Sequence, residues 1–350
     1  MFLVNFDKLP DVSRSYEGLS GPKRAKYYNG DVLIVKRAKN TAEMHGNSLP
    51  SYTSSPLSEY LGSHIYEILG IPVHETIMGF LDGRLAVGCK DFRGKTDDLY
   101  EVRKLKNDWR GVEPDNTIAT KPGDLVKLEE IFDLFENDER FDKALQRHFW
   151  TMIIVDILID NNDRNNGNWG LISDRETNIY RIAPVYDNGN SFCTKFADER
   201  LAEIMDDEVG MIGGRTVFSV NGKQLSAKKM LKRRDPGLVE ALKELVPLIG
   251  LKLQDMYDFI DAIPECEQGY TVMAAARKEY YKKCLRVRYE KLLKPAIDDN
   301  GYYTKDNFMS DSHMQQLISS KGITSPELWF DAYFSHGASN REEVLKILNK

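Results

Sequence analysis

Cysteine is sparse in this chain of 350 residues: four in all, at positions 89, 193, 266 and 284, with no CxxC pair. That spacing excludes a zinc ribbon or a disulfide-stapled scaffold and fits reduced thiols in a cytosolic protein. Long apolar runs are also missing. The longest, residues 149–159, is broken by Asp156 and falls short of the ~20 residues that cross a bilayer. Met1-Phe2-Leu3-Val4 meets Asn5, Asp7 and Lys8 before it could become the core of a signal peptide. Six histidines are scattered without an HExxH pattern, and no internal repeat is visible. The charge excess is small, 48 Lys+Arg against 54 Asp+Glu for a net −6, which argues against wholesale wrapping of nucleic acid. What is present is a globular composition, 41% hydrophobic and 29% charged. At ~100–200 residues per domain, the length suits two domains or one two-lobed unit.

The hydrophobic pattern divides the chain. Lys26-Tyr27-Tyr28, an Asn29-Gly30 turn and Val32-Leu33-Ile34-Val35-Lys36 predict a hairpin within 17–36. Residues 40–57 are polar and rich in Pro and Ser, hence a loop. Leu57, Leu61, Ile65 and Ile68/Leu69 recur at helical spacing up to Gly70, a helix-stop residue. Strands at 73–81 and 85–90 flank the turn Asp82-Gly83. Beyond Asp124 the helical signal dominates. A long helix is expected at 141–159, then short strands at 169–172 and 179–186 joined by a turn at 173–178. Further helices are expected at 236–250, 253–262, 271–293, 312–319 and 340–349. A β-rich first third before a helical remainder predicts two lobes with a cleft between them.

The most informative stretch is the polar knot Asp160-Asn161-Asn162-Asp163-Arg164-Asn165-Asn166-Gly167-Asn168. Most Asn-rich stretches are solvated loops. This one lies between two apolar segments and is followed by a hairpin ending in Asp187-Asn188-Gly189. A hairpin returns its second strand to the end where the first began, so Asn168 and Asp187 emerge together, near Asp163. Two carboxylates and an amide oxygen around one point suit Mg²⁺, which takes one or two carboxylates beside phosphate oxygens and water. Asn168 and Asp187 fill the metal role, leaving Asp163 to accept a proton from an attacking hydroxyl. Asp163-x-x-x-x-Asn168 followed by Asp187-x-Gly189 matches the order of a kinase catalytic loop and metal motif. Gly189 would let the chain turn sharply after the metal ligand.

A kinase also needs a lysine on the ATP phosphates. A strand lysine usually faces solvent. Lys36, however, ends the apolar strand, and Glu59 lies near the start of the next helix, as in the strand–helix pair that orients kinase phosphates. Upstream, Ser20, Gly21 and Lys23 lie in a Gly-containing turn whose N–H groups could cover phosphates.

These residues resemble the HipA-like serine/threonine kinases, in particular the compact, single-chain CtkA-type branch, over about residues 15–265. The anchors are Gly21-Pro22-Lys23, Val35-Lys36, Ser58-Glu59-Tyr60, Ala86-Val87-Gly88-Cys89-Lys90-Asp91-Phe92, the run from Asn162 to Gly170, and Ile182-Ala183-Pro184-Val185-Tyr186-Asp187-Asn188-Gly189. The resemblance implies an α+β, two-lobed, protein-kinase-like fold with a small β-rich N-lobe and a larger helical C-lobe. It implies transfer of the γ-phosphate of ATP, with Mg²⁺, to a protein serine or threonine. Asp163 would be the base, Asn168 and Asp187 the metal ligands, and Lys36, held by Glu59, the phosphate contact. Cys89, Lys90, Asp91 and Phe92 would form the hinge that meets adenine. The loop at Ser20, Gly21 and Lys23 would cover the phosphates, a loop that is also an autophosphorylation site in this group. One departure is Asn165, where the family usually has His; asparagine still forms hydrogen bonds but carries no proton.

On this basis residues 1–92 are expected to form the nucleotide-binding N-lobe and 93–295 the catalytic C-lobe. Residues 296–350 form a helical extension without an assigned role. The expected partners are a protein substrate and a cognate antitoxin or inhibitor protein, with no membrane; the expected location is the cytoplasm, or outside the cell as an effector without a cleavable signal. Residues 277–294 carry eight Lys/Arg against two Glu on an amphipathic pattern, a solvated basic face or a docking face for an acidic protein or RNA. Rival readings are a lipid or small-molecule kinase of the same fold and a nucleotide-binding pseudokinase. Gly94-Lys95-Thr96 is rejected as a Walker A end because Cys89 stands where its first glycine is required, and the knot lacks the glycine of an EF-hand.

Overall fold

The computed structural model describes residues 2–12, 23–38, 54–109, 125–233, 235–299, 309–320 and 322. Ser20, Gly21, most of the 40–57 loop and the expected helix at 340–349 lie outside the described residues.

The first third is a curled five-stranded sheet carrying one helix. Its elements are β1 (Val4–Asn5), β2 (Lys23–Tyr28), β3 (Asp31–Arg37), helix α1 (Ser55–Ile68), β4 (Thr76–Leu81) and β5 (Arg84–Lys90), with sheet order β1-β4-β5-β3-β2. Both hairpins turn where the sequence puts them. Asn29 (φ 49°) with Gly30 (φ 90°) and Asp82 (φ 52°) with Gly83 (φ 69°) adopt the left-handed pairs that match strand twist. On β3, Leu33 and Val35 point to a small outer core with Phe6, Leu81 and Ala86. Alternation sends Lys36 to the opposite face, beside its cross-strand partner Val87 and next to Cys89. Residues 73–75, expected to start β4, stand outside the sheet. They cross to the other lobe, where Val73 bridges Val185.

The larger lobe follows in chain order. It comprises β6 (Asp97–Glu101), α2 (Val102–Trp109), β7 (Val126–Lys127), α3 (Leu128–Asn137), α4 (Lys143–Ile159), β8 (Gly170–Asp174), β9 (Tyr180–Ile182), α5 (Asp198–Glu203), α6 (Glu208–Ile212), β10 (Arg215–Val220), β11 (Lys223–Ser226), α7 (Ala227–Leu231), α8 (Pro236–Ala262), β12 (Cys266–Glu267), β13 (Tyr270–Thr271), α9 (Ala275–Arg288), α10 (Lys294–Asp299) and α11 (Ser312–Ser320). Helix α4 is capped by Asp142, which accepts the Leu145 N–H at 2.8 Å, and is ended by Asp160 at φ 57°. From Phe149 to Ile159 it is almost wholly buried, among α8, α9 and the aromatic cluster of Phe149, Trp150 and Trp169. Among the described residues no helix is long and apolar enough to cross a membrane. The molecule has the α+β, two-lobed, kinase-like fold expected from the motifs.

Three expectations are corrected. The helices expected at 236–250 and 253–262 are one helix, α8, running through Pro247 and Gly250. Gly250 stops nothing; a Cβ there would sit 2.2 Å from the Tyr289 hydroxyl, so the residue is small for packing. The second strand of the 169–186 hairpin ends at Ile182 rather than at 186. The helix expected at 271–293 begins at Ala275 and passes through a π-helical turn at Tyr289–Leu293.

The basic segment 277–294 is not a free docking face. Arg277 and Arg288 are buried. Arg277 donates to Asp198 Oδ1 (2.6 Å), the Tyr281 hydroxyl (2.7 Å) and the Phe196 carbonyl (2.7 Å). Arg288 donates to the Ile157 carbonyl (2.7 Å), the Met211 carbonyl and Asp160 Oδ1 (2.6 Å). Lys282, Lys283 and Lys291 pair with Asp261, Asp206 and Glu208. The cations staple α9 to its neighbours.

The lobes are joined at more than the hinge. Phe2 and Leu3 donate their N–H groups to the Glu267 carboxylate at 2.9–3.2 Å, while Gln268 Nε2 donates to the Leu3 carbonyl at 2.9 Å. The segment 72–74 pairs with Val185: Val185 N donates to Pro72 O (2.8 Å) and His74 N to Val185 O (3.0 Å).

Arg288→Met would leave Asp160 and two carbonyls without their donor. The expected loss is about 3–5 kcal/mol, read as a lower urea midpoint at unchanged slope. A solvated-face arginine would change stability by no more than about 0.5 kcal/mol.

Candidate active site

The polar knot folds around its own asparagines. Asn161 Oδ1 accepts the Asp163 N–H (3.2 Å), and Asn165 Oδ1 accepts that of Gly167 (2.9 Å). Asn165 Nδ2 donates to Asp163 Oδ1 at 3.0 Å, so the asparagine standing in the usual histidine position holds the carboxylate of the candidate base. Asn168 Nδ2 donates to the Asp163 carbonyl at 2.6 Å. Asp163 is half-buried.

Beneath the loop lies a side chain that none of the proposed chemical roles uses. Arg164 is 1% exposed and is paired with the buried Asp156 of α4. Nε and Nη2 reach the Asp156 carboxylate at 2.8 and 3.0 Å. Nη1 reaches the carbonyls of Asn168 (2.9 Å) and Tyr186, and Nη2 also reaches Asn188 Oδ1 (2.6 Å). All five guanidinium hydrogens are used. Tyr66 Oη (2.9 Å) and Asn161 Nδ2 (3.0 Å) complete the shell of Asp156. The signal was present in the sequence: an acid inside the apolar run 149–159 requires a buried cation.

The strand lysine and the helix glutamate meet as expected. Lys36 Nζ lies 2.8 Å from Glu59 Oε2 and 2.8 Å from Asp187 Oδ1, so one ammonium joins β3, α1 and the metal motif. Burial works against the Lys36 charge, but Asp187 and Glu59 overcome it and hold the ammonium pKa well above its ordinary value. Burial likewise opposes ionisation of Glu59, and Lys36 and His74 overcome it, leaving the carboxyl well below the usual range. Cys89 lies on the same sheet face. Glu59, His74 and Cys89 each offer a ligand atom within 4.8 Å of the others. The Lys36 ammonium already supplies the positive charge beside Glu59.

The turn after the metal motif differs from expectation. Asp187 itself takes the left-handed conformation (φ 60°). Gly189 is small for another reason: a Cβ there would come within 3.1 Å of Glu59 Oε2. Gly62 on α1 makes a similar approach, with a built Cβ 2.8 Å from that of Asn188.

Of the four residues expected at the hinge, two have their backbone N–H groups paired within the protein. The N–H groups of Lys90 and Asp91 are taken by Glu75 O (2.9 Å) and Val32 O (2.8 Å). The Lys90 ammonium pairs outward with Asp31 and Glu75, and the Asp91 carboxylate with Arg93. Phe92 is the first residue beyond these pairings, its ring centroid 5.7 Å from that of Tyr186. Lys23 opens β2 opposite Lys36; its side chain, like Ser20 and Gly21, lies outside the described residues.

A small sheet lobe, a helical lobe and a lysine–glutamate–aspartate contact facing an Asp-x-x-x-x-Asn loop define a protein of the two-lobed kinase class. No family model matches the chain. It is 26% identical over 292 residues to the serine/threonine-protein kinase CtkA of Helicobacter pylori, covering 80% of this chain and 83% of that protein. The crystal structure of the H. pylori proinflammatory kinase CtkA superposes with a TM-score of 0.71 at 23% identity, over 84% of this chain and 96% of that one. A chain of the Shewanella oneidensis MR-1 toxin–antitoxin complex of HipA, HipB and operator DNA gives 0.50 at 14% identity, over 84% and 68%. The chain is thus similar in sequence to a serine/threonine-protein kinase and shares its fold with CtkA and HipA.

Because its folded pKa is depressed, Glu59 contributes stability that is fully present above the ordinary glutamate value of about 4.3 and lost as pH falls towards its folded value. Thermal unfolding from pH 6 to pH 2 should therefore show a smaller loss of midpoint for Glu59→Gln than for the wild type.

Proposed function

We propose that the protein transfers the γ-phosphate of ATP to a serine or threonine hydroxyl of a protein. The observation that carries this reading is the Lys36–Glu59–Asp187 contact beside the Asp163–Asn168 loop. The donor set fits a hard divalent cation: Asn168 and Asp187 offer an amide and a carboxylate oxygen, and Mg²⁺ is the natural choice beside phosphates. When bound, the cation neutralises charge on the phosphate oxygens.

The chain's own groups do the rest. Lys36, aligned by Glu59, meets the α- and β-phosphates. Asp163, its Oδ1 held by Asn165, accepts the hydroxyl proton as the substrate oxygen attacks the γ-phosphorus. The bond from that phosphorus to the β,γ-bridging oxygen breaks, and ADP leaves with the electron pair. Phe92 is our choice for the adenine contact at the hinge, and the turn at Ser20, Gly21 and Lys23 for the phosphate cover. We assign nucleotide binding to residues 1–92 and the chemistry to 93–295.

A protein acceptor is favoured over a lipid. The one basic segment that suited a membrane, 277–294, has two of its three arginines buried and three of its lysines paired with acids on other elements. Intact Lys36, Asp163, Asn168 and Asp187 favour an enzyme over a pseudokinase. By kinship with the HipA complex, the expected regulator is an antitoxin-like protein, and the expected location is the cytoplasm.

With radiolabelled ATP and a generic protein acceptor, Asp163→Asn should lower phosphotransfer on the order of 10²–10⁴-fold while nucleotide binding persists. Asp187→Asn should weaken Mg²⁺-dependent ATP binding itself. Two fully active variants would refute the assignment, and label in vesicle lipid but not protein would favour the lipid reading.

A further inference from the structure

The two oxygens of Glu59 face different parts of the molecule. Oε2 takes Lys36, while Oε1 accepts the backbone N–H of Asn188 at 2.8 Å and faces His74 Nε2 at 3.1 Å. A carboxylate only accepts, so His74 Nε2 carries the proton and donates it. The same nitrogen lies 3.1 Å from Ser63 Oγ, which in turn accepts Asn188 Nδ2 at 3.1 Å. His74 is 5% exposed. Its backbone belongs to the 72–74 segment hydrogen-bonded to Val185, two residues before Asp187.

The imidazole therefore stands on a segment hydrogen-bonded to Val185, two residues before the candidate metal ligand, and reaches back to the helix that carries Glu59. A carboxylate held by Lys36 alone could rotate about its last torsion, which is broad for glutamate. With His74 and the Asn188 N–H both on Oε1, only one orientation serves all three donors.

We propose that His74 is a positioning residue for phosphotransfer, acting through Glu59. It fixes the plane of the Glu59 carboxylate, so that Lys36 and the Asp187–Gly189 turn keep a set separation. The proposal rests on the kinase reading. A purely space-filling histidine would ask only for a ring of similar volume; the positioning role asks for an N–H at the place of Nε2. Phenylalanine supplies the ring without the donor, and glutamine supplies an amide N–H at similar reach.

The test compares the full-length wild type with His74→Phe, His74→Gln, Glu59→Gln and the double variant His74→Phe/Glu59→Gln. Mg²⁺-dependent transfer from ATP to a generic protein acceptor is measured beside thermal unfolding. His74→Phe should lower kcat about tenfold to a hundredfold, the scale of one buried hydrogen bond to a charged group. His74→Gln should recover most of that loss. The double variant should be no worse than Glu59→Gln alone, because the histidine acts through the glutamate. If the phenylalanine variant does not fold, His74→Asn replaces it, its amide falling short of Glu59. Activity of His74→Phe within twofold of an active wild type overturns the positioning role; so do equal losses for Phe and Gln, or fully additive losses in the double variant. A wild type that neither transfers phosphate nor gains thermal stability from Mg²⁺ and ATP overturns the kinase reading instead, and the proposal with it.

Discussion

The candidate site depends on a buried ion pair that never touches it from the open side. Arg164 and Asp156 are 1% and 5% exposed at their side chains. Removing two charges from water is costly, and such pairs are poor sources of net stability. What this pair supplies is geometry. The guanidinium spends two donors on Asp156 and the other three on Asn168 O, Tyr186 O and Asn188 Oδ1. Those acceptors flank the amide of Asn168 and the carboxylate of Asp187, the proposed metal ligands. Asp163 is the residue before Arg164, so the proposed base is tethered to the same point. A planar, permanently charged fork suits this better than an ammonium, whose donors have no fixed plane.

A second hub sits above the first and joins it to the smaller lobe. Glu59 links Lys36 on the sheet to Asn188 on the metal turn, and Asn188 is also held by Arg164. Glycines at 62 and 189 make the approach of helix and turn possible, since a methyl at either would press on Asn188 or on Glu59. The residues that would handle phosphate, metal and proton therefore form one connected hydrogen-bonded set. Such sets act as units, and losses within them do not add.

Much of this was legible in the chain. The Asn29-Gly30 turn, the period of 57–69 and the Asp163…Asn168…Asp187 order are local signals, and local signals survive folding. Less legible was whatever depends on partners far apart in sequence. Arg164 draws acceptors from α4, the loop and the segment after β9; His74 and Ser63 carry no motif at all. The basic count at 277–294 misled for the same reason. The acids that neutralise it, Asp198, Asp206, Glu208, Asp160 and Asp261, lie on other elements. Pro247 misled in the opposite sense, because burial along α8 outweighs a local preference for a break.

The attachments outside the hinge change what kind of object this is. Besides the contacts that α1 makes with Asp156 and Asn188, residues 2–3 grip Glu267 and 72–74 grip Val185, so among the described residues the polypeptide path near residue 92 is one of several connections. A bilobed molecule with a single joint swings like a book. This one is a frame braced at separated points, with rotation of one half against the other restrained by each brace. Severing the chain at the joint would leave these braces in place, and the halves would stay together as a noncovalent pair.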